Sequence, residues 1–124
     1  MIGIVFLFVL FFLKHFICDF VLQTYSMVEG KGTYGAWAGI QHSLVHGLGT
    51  LLLLLCVFSF NPHNLFVAAE LALIDFLVHY HVDWAKQNLS KKYTSRDRQF
   101  WVWLGFDQFL HLLTYAIIIG LLVI

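Results

Sequence analysis

The sequence predicts an all-α polytopic membrane protein, a bundle of four transmembrane helices in a single domain of residues 1–124. Hydrophobic residues make up 60% of the chain and charged residues 11%, whereas a soluble domain carries about 45–50% and about 25%. Four apolar runs are each as long as the ~20 helical residues that cross a bilayer. Seven Lys and Arg balance seven Asp and Glu, so no excess charge attracts nucleic acid. These values exclude a soluble enzyme, a disordered tail and a nucleic-acid-binding module.

The four predicted spans cover about residues 2–25, 38–60, 65–84 and 100–123. The first has no basic residue before it and no small-residue cleavage site after it, so we expect a retained helix rather than a signal peptide. A tight turn, Asn61-Pro62-His63-Asn64, joins the second and third spans. Cys18 and Cys56 lie inside apolar runs and are expected to pack rather than to form a disulfide.

Basic residues predict the orientation of the bundle. The connection between the third and fourth spans holds five of the seven, and Lys31 lies in the first connection, on the same side of the membrane. Loops rich in Lys and Arg stay in the cytoplasm, so both termini are predicted on the opposite side. Trp84, Trp101 and Trp103 fall where the cytoplasmic interface is expected.

Polar side chains inside a span are costly and normally face the bundle interior. With a helical rise of 1.5 Å per residue, those of all four spans fall about 6–16 Å from the basic end. The rest of each span is apolar, so the sequence predicts one polar layer in the cytoplasmic half of the bilayer. Most of its members are four residues apart and share a helix face: His15, Asp19 and Gln23; Gln41, His42 and His46; Asp75, His79 and Asp83; Asp107, Gln108 and His111.

Histidine and carboxylate at this spacing on several helices are typical of metal sites in bundles. Such ligands suit one or two zinc ions and also accept manganese or iron. Asp83 or Asp107 is a candidate general base, while Gln23, Gln108 and Asp75 would orient the ligands. The candidate ligands are His15, Asp19, His42, His46, His79, Asp83, Asp107 and His111, of which Asp19, His46, His79 and His111 are the strongest.

Simpler interpretations apply to single residues. Any one buried histidine is as often a hydrogen-bonded packing residue as a ligand, and Asp75 can equally accept a hydrogen bond from a neighbouring helix. His63 is expected to be a turn residue and His81 an interfacial one. Lys14 is expected to snorkel or to pair with an acid. Gly47 and Gly49 are expected to permit close helix approach.

Four segments together resemble a small membrane family of bacteria and phages, known as domain of unknown function 3307. They are H-x3-D-F-x2-Q from His15, H-x3-H from His42, H-x3-D-x2-K from His79 and D-Q-x2-H from Asp107. Lys31 after Gly30 is similar to the family's loop lysine, whereas Asp75 and His81 match no position of the pattern. In style, the His/Asp-rich spans also resemble membrane-bound metal-dependent hydrolases typified by YdjM. The resemblance implies a bacterial inner membrane, and the basic loops then place both termini on its periplasmic side.

These observations lead to the hypothesis of a metal-dependent hydrolase of a lipid-linked ester or phosphoester at the cytoplasmic leaflet. Lys31 and Lys86 are expected to bind lipid headgroups. The alternative is a non-enzymatic protein: a metal or ion binder, a transport subunit, a haem bundle or a phage–host interaction factor with a structural metal site. Haem has no need of the interleaved Asp residues, and an ion pathway needs polar residues across the whole span. Four helices enclose little space, which is compatible with a homodimer.

Overall fold

The computed structural model describes residues 3–123, and these form α-helices, one π-helical turn and short connections, without a strand. The helices are α1 (Ile4–Phe16), α2 (Tyr25–Gly30), α3 (Trp37–Val57), α4 (Pro62–Ser90) and α5 (Arg98–Val123), and the π turn (Ile17–Val21) continues α1. Four of these segments are long and apolar enough to cross a membrane: Ile4–Val21, Trp37–Val57, Pro62–Ser90 and Arg98–Val123. The prediction of a four-span all-α membrane protein is therefore confirmed.

The observed helices differ from the predicted spans by more than three residues at two ends. The first span ends at Val21 rather than at Tyr25, and α4 continues to Ser90, past the predicted end at Trp84. The latter extension is polar and lies beyond the apolar part of the helix, so hydropathy alone does not detect it. At its other end α4 begins where the turn was predicted, because Asn61 caps the helix by accepting a hydrogen bond from the backbone N–H of Asn64 at 2.9 Å and Pro62 occupies its first turn.

The four spanning segments form a ring. α3 packs on α4, α4 on α5, and α1 on both α3 and α5, whereas the backbones of the diagonal pairs stay apart within residues 3–123. Gly47 allows the closest approach of α3 to α4, since a Cβ there would lie 3.0 Å from the Cβ of Phe76 and 3.1 Å from the carbonyl oxygen of Ala72. Gly49 similarly leaves room for the Lys14 side chain, at 3.2 Å. The expected role in close helix approach is confirmed for Gly47, whereas Gly49 makes room for side chains rather than for a neighbouring backbone.

The bundle has an apolar end and a polar end. Its apolar core lies towards the α3–α4 turn and contains Leu7, Phe11, Leu54, Ala68, Leu71, Tyr115, Ile118 and Ile119. Apolar side chains such as Val9, Leu52 and Ile117 are exposed on the outside, where lipid would contact them. The other end, which we call the basic end, is formed by α2 and the α4–α5 connection, and the buried His and Asp side chains lie between it and the apolar core.

Candidate metal centre

Side chains from all four spans converge at the polar end in two groups that share His79. Within each group, one possible ligand atom per residue lies within 4.8 Å of the others, and every member is buried. The first group, which we call the four-ligand group, is Asp19, His42, His46 and His79. The second, the three-ligand group, is His79, Asp83 and His111. The convergence expected from four-residue spacing on each helix is therefore present.

The π turn positions Asp19. The backbone N–H of Leu22 donates to the carbonyl oxygen of Ile17 at 2.9 Å, five residues back. A turn of this kind inserts one residue into the helix and commonly occurs at functional sites. Asp19 lies in the middle of it and directs its carboxylate into the bundle, 5% exposed.

Distances in the four-ligand group fit a small tetrahedral cation. The Oδ1 atom of Asp19 lies 3.1 Å from Nε2 of His42, 3.6 Å from Nε2 of His46 and 3.9 Å from Nε2 of His79. The Nε2 atoms of His42 and His79 are 3.1 Å apart. Ligands at the Zn–N distance of about 2.0–2.1 Å are separated by roughly 3.3 Å around a tetrahedral ion. The four atoms therefore have a spacing that zinc could bridge.

Several of these atoms are close to one another but not aligned for hydrogen bonding. Among the described residues, buried atoms without a hydrogen-bond partner include Asp19 Oδ1, His46 Nε2 and Asp107 Oδ1. A buried polar atom left unsatisfied costs about 1–3 kcal/mol, so a partner for these atoms would stabilise the bundle. Cations bound in the two groups would provide such partners, because a metal ion accepts the lone pairs of carboxylate oxygens and imidazole nitrogens alike.

Asp83 faces both groups with its two oxygens. Oδ1 lies 3.3 Å from Nε2 of His111, and Oδ2 lies 3.2 Å from Nε2 of His42. A carboxylate in this position can bridge two ions. Asp107, one turn from His111 on α5, places Oδ1 3.3 Å from the same imidazole nitrogen.

Lys31 lies over the carboxylates rather than in an open loop. Its Nζ is 2.9 Å from Asp83 Oδ2 and 3.7 Å from Asp19 Oδ1, and 11% of its side chain is exposed. This position depends on α2, because Gly30 contacts the start of α3 so closely that a Cβ on Gly39 would lie 3.2 Å from its carbonyl oxygen. The α2 helix was not predicted; Thr24, which caps it by accepting from the N–H of Met27 at 3.4 Å, is the signal that could have revealed it.

His15 and Gln108 lie beside the two groups. Both ring nitrogens of His15 are engaged, Nδ1 with the Tyr115 hydroxyl and Nε2 with Gln108 Oε1, each at 2.9 Å. The Gln108 amide then donates to Asp19 Oδ2 at 3.3 Å and to Asp107 Oδ2 at 3.1 Å. Gln108 thus hydrogen-bonds the Oδ2 atoms of two carboxylates and leaves their Oδ1 atoms to the histidines; that these carboxylates are metal ligands stays a prediction.

Asp75, predicted to orient the ligands, lies in a second buried cluster one turn deeper in the bundle. Its Oδ2 accepts from the Lys14 ammonium and from the Thr50 hydroxyl, both at 2.6 Å. Lys14 also donates to the Tyr115 hydroxyl at 3.2 Å and to the backbone carbonyl of His46 at 3.3 Å. Lys14 therefore pairs with an acid, one of the two roles predicted for it. Sequence reasoning missed Thr50 and Tyr115, although each lies four residues beyond a candidate ligand, His46 and His111.

The remaining predicted residues line the edge of the site. A polar cavity of about 100 Å³ at the basic end is lined by Asp19, Gln23, Lys31, Asp83, Lys86, Asp107 and Gln108, among others. The buried Oε1 atom of Gln23 has no hydrogen-bond partner among the described residues. His81, expected at the interface, is exposed and contacts Tyr34 Oη through Nε2 at 3.1 Å. The cavity reaches the carboxylates, so the candidate centre is accessible from this end.

The fold and the site together define a class: a polytopic membrane protein whose four helices hold a buried histidine–carboxylate cluster at one end. The family model described as Protein of unknown function (DUF3307) matches residues 7–124, and the chain belongs to that family. The predicted membership is confirmed. No curated protein and no solved structure matches the chain, and the similarity to YdjM-like hydrolases is not supported.

Proposed function

We propose that the chain is a membrane-embedded, metal-dependent hydrolase that cleaves a lipid-linked ester or phosphoester. The main observation behind this proposal is that Asp19 Oδ1 and the Nε2 atoms of three histidines lie together, at separations that suit one zinc ion. Manganese or iron would also accept these ligands. A bound cation would in addition compensate carboxylates that are expensive to keep charged in a low-dielectric interior.

The three-ligand group provides for a second ion. Asp83 has one oxygen directed at each group, and Asp107 adds a third carboxylate near His111. His79 belongs to both groups, but a single ring nitrogen binds one ion, so the second ion would depend mainly on Asp83 and His111, with Asp107 beside them left unligated. Two metals held about 3.5–4 Å apart are common in hydrolytic sites.

Metal ions in such sites supply a water of lowered pKa as the nucleophile. Asp107 is the best placed general base, because it lines the polar cavity and its Oδ1 has no hydrogen-bond partner among residues 3–123. Gln108 holds the other oxygen of this carboxylate at 3.1 Å, and this fixes the direction in which Oδ1 points. Lys31, beside Asp83, would offset negative charge that develops on a substrate phosphate or carbonyl oxygen.

The orientation of the site supports a lipid substrate. The candidate centre lies towards the basic end, where the positive-inside rule predicts the cytoplasmic face. We infer a bacterial inner membrane with both termini periplasmic, so a substrate would come from the cytoplasmic leaflet. That two copies of the chain form a homodimer stays a prediction from the small size of the bundle.

Zinc content and turnover of the detergent-purified protein test this function. We expect bound zinc by elemental analysis and hydrolysis of a bacterial lipid extract that stops with chelator and returns with zinc. Asp107→Asn should keep the metal and lose at least a hundredfold in rate, in the range for general bases. Asp97→Asn, in the α4–α5 connection, is the control and should keep both. A protein with no bound metal would refute the assignment.

One observation favours a structural metal site instead. His42 and His46 are fully buried, and closed four-ligand sites usually stabilise folds rather than catalyse reactions. In that case chelator would lower the unfolding temperature, and no lipid extract would be turned over. Such a protein would act by contact with another protein.

A further inference from the structure

A second, apolar groove lies next to the polar cavity. It measures about 220 Å³ and runs between α4 and α5, lined mainly by side chains such as Val82, Ala85, Phe106 and Leu110. Along α5 it extends from Trp103 to Leu110, about 10 Å at the helical rise. Because α5 crosses the membrane, the groove runs from the basic end into the hydrocarbon region and opens to lipid rather than to water.

Two residues line both the groove and the polar cavity, Lys86 and Asp107. The apolar channel therefore ends beside the proposed general base. A molecule that fills both spaces must have a hydrocarbon part in the groove and a polar part in the cavity, with the bond between them close to Asp107.

The positive charge of Lys86, where the groove meets the cavity, indicates which polar headgroup the bound molecule carries. Lys14 and Lys31 form ion pairs, whereas the Lys86 ammonium contacts only the face of Phe100, 5.9 Å from the ring centroid, and forms no ion pair within residues 3–123. A half-buried ammonium at the junction of an apolar groove and a polar cavity favours an anionic headgroup, and a phosphate is the anion that membrane lipids carry there.

We propose that the groove between α4 and α5 is a lipid-binding site, which takes one acyl chain of an anionic phospholipid and holds its phosphate at Lys86. The site names the substrate class and rests on the proposed function, because it delivers the ester bonds next to the phosphate to the polar cavity. The lipid enters sideways from the bilayer, between the two helices, and does not have to leave the membrane.

Photo-crosslinking tests the groove without any assay of turnover. The purified protein is placed in vesicles that carry phosphatidylglycerol or phosphatidylcholine with a diazirine in the acyl chain, and the crosslinked residues are mapped by mass spectrometry. We expect phosphatidylglycerol to label Val82, Ala85 and Leu110 well above the average of the lipid-facing residues. Uniform labelling around the bundle would overturn the proposal.

Two pairs of variants sharpen the result. Ala85→Trp fills the groove and should lower labelling there about tenfold, whereas Ala69→Trp, on the exposed face of the same helix, should not. Lys86→Gln should lower labelling by phosphatidylglycerol about fivefold and labelling by phosphatidylcholine less, because choline already neutralises the charge of that lipid's phosphate, with Lys91→Gln as the control. Equal labelling by the two lipids in the unaltered protein would refute the role of Lys86.

Zinc content and helicity are measured on every variant, so that a misfolded Ala85→Trp is recognised and Lys86→Gln then decides. Crosslinks confined to the groove without turnover would retain the lipid site and reject the hydrolase. Turnover of phospholipid without crosslinks in the groove would retain the hydrolase and reject the lipid site.

Discussion

His46 and His79 stack their imidazole rings with centroids 3.5 Å apart, although they belong to α3 and α4. Their Nε2 atoms lie 3.6 and 3.9 Å from Asp19 Oδ1, so the stack presents two nitrogens to one carboxylate. Gly47 follows His46 directly and allows α3 to approach α4 closely enough for the rings to meet. Helix contact and ligand geometry are thus coupled at one point of the bundle.

Replacement of His79 is expected to have the largest effect on metal binding, because its Nε2 belongs to the four-ligand group and its ring stacks on that of His111 in the other group. His79→Ala should weaken zinc binding roughly a hundredfold or more, beyond the effect of a residue that only orients a ligand. Competition with a chelating dye measures the affinity. His63→Ala, exposed in the first turn of α4, is the control, and equal affinity in the two variants would contradict the assignment.

Replacement of His111 tests the number of ions. His111→Ala removes one member of the three-ligand group and leaves Asp19, His42, His46 and His79 in place. We expect the zinc content to fall from two ions per chain to one and turnover to be lost. A variant that still bound two ions would show that His111 is not a ligand.

Gln108 is expected to act through the carboxylates that it holds. Gln108→Leu removes the hydrogen bonds to Asp19 and Asp107 and should lower zinc affinity about 10–100-fold, as for other residues that orient ligands. Gln99→Leu, at the exposed start of α5, serves as the matched change. Rescue by Gln108→Asn is not expected, because the shorter side chain cannot reach both oxygens.

The Lys14–Asp75 ion pair can be tested by a double-mutant cycle. Both side chains are buried, so Lys14→Met alone or Asp75→Asn alone leaves a buried group without its partner and should destabilise the protein by about 3–5 kcal/mol. The double variant should recover part of this loss. Unfolding in detergent measures each free energy, and additive losses would exclude a direct interaction.

Gly47 should not tolerate a side chain. A Cβ would lie 3.0 Å from the Cβ of Phe76, so Gly47→Ala should separate α3 from α4 and cost about 1–3 kcal/mol, with weaker zinc binding as a second effect. No heavy atom lies within 4 Å of a Cβ built on Gly105. Gly105→Ala should therefore be neutral or stabilising by up to about 1 kcal/mol.

The four spans and the level of the polar layer could be predicted because hydropathy and four-residue spacing are local properties of the sequence. The pairing of Lys14 with Asp75 could not, since it depends on which helices are diagonal in the ring. The hydrogen bonds of His15 could not be predicted either. Its two ring nitrogens contact Tyr115 and Gln108 of α5, and the sequence does not show which helices are neighbours. The π turn could not be predicted from hydropathy. It changes the number of residues per turn but not the composition, so the first span looks like one continuous apolar helix.

The π turn divides the first span into two helical parts. The rotation of one part about the helix axis is independent of the rotation of the other. An α-helix rotates about 100° per residue, so removal of Cys18 from the π turn would swing Asp19 away from His42 and leave Phe11 and Lys14 where they are. The packing of α1 against its neighbours and the direction of the Asp19 carboxylate can therefore change independently. An insertion or deletion of one amino acid changes the direction of the carboxylate alone.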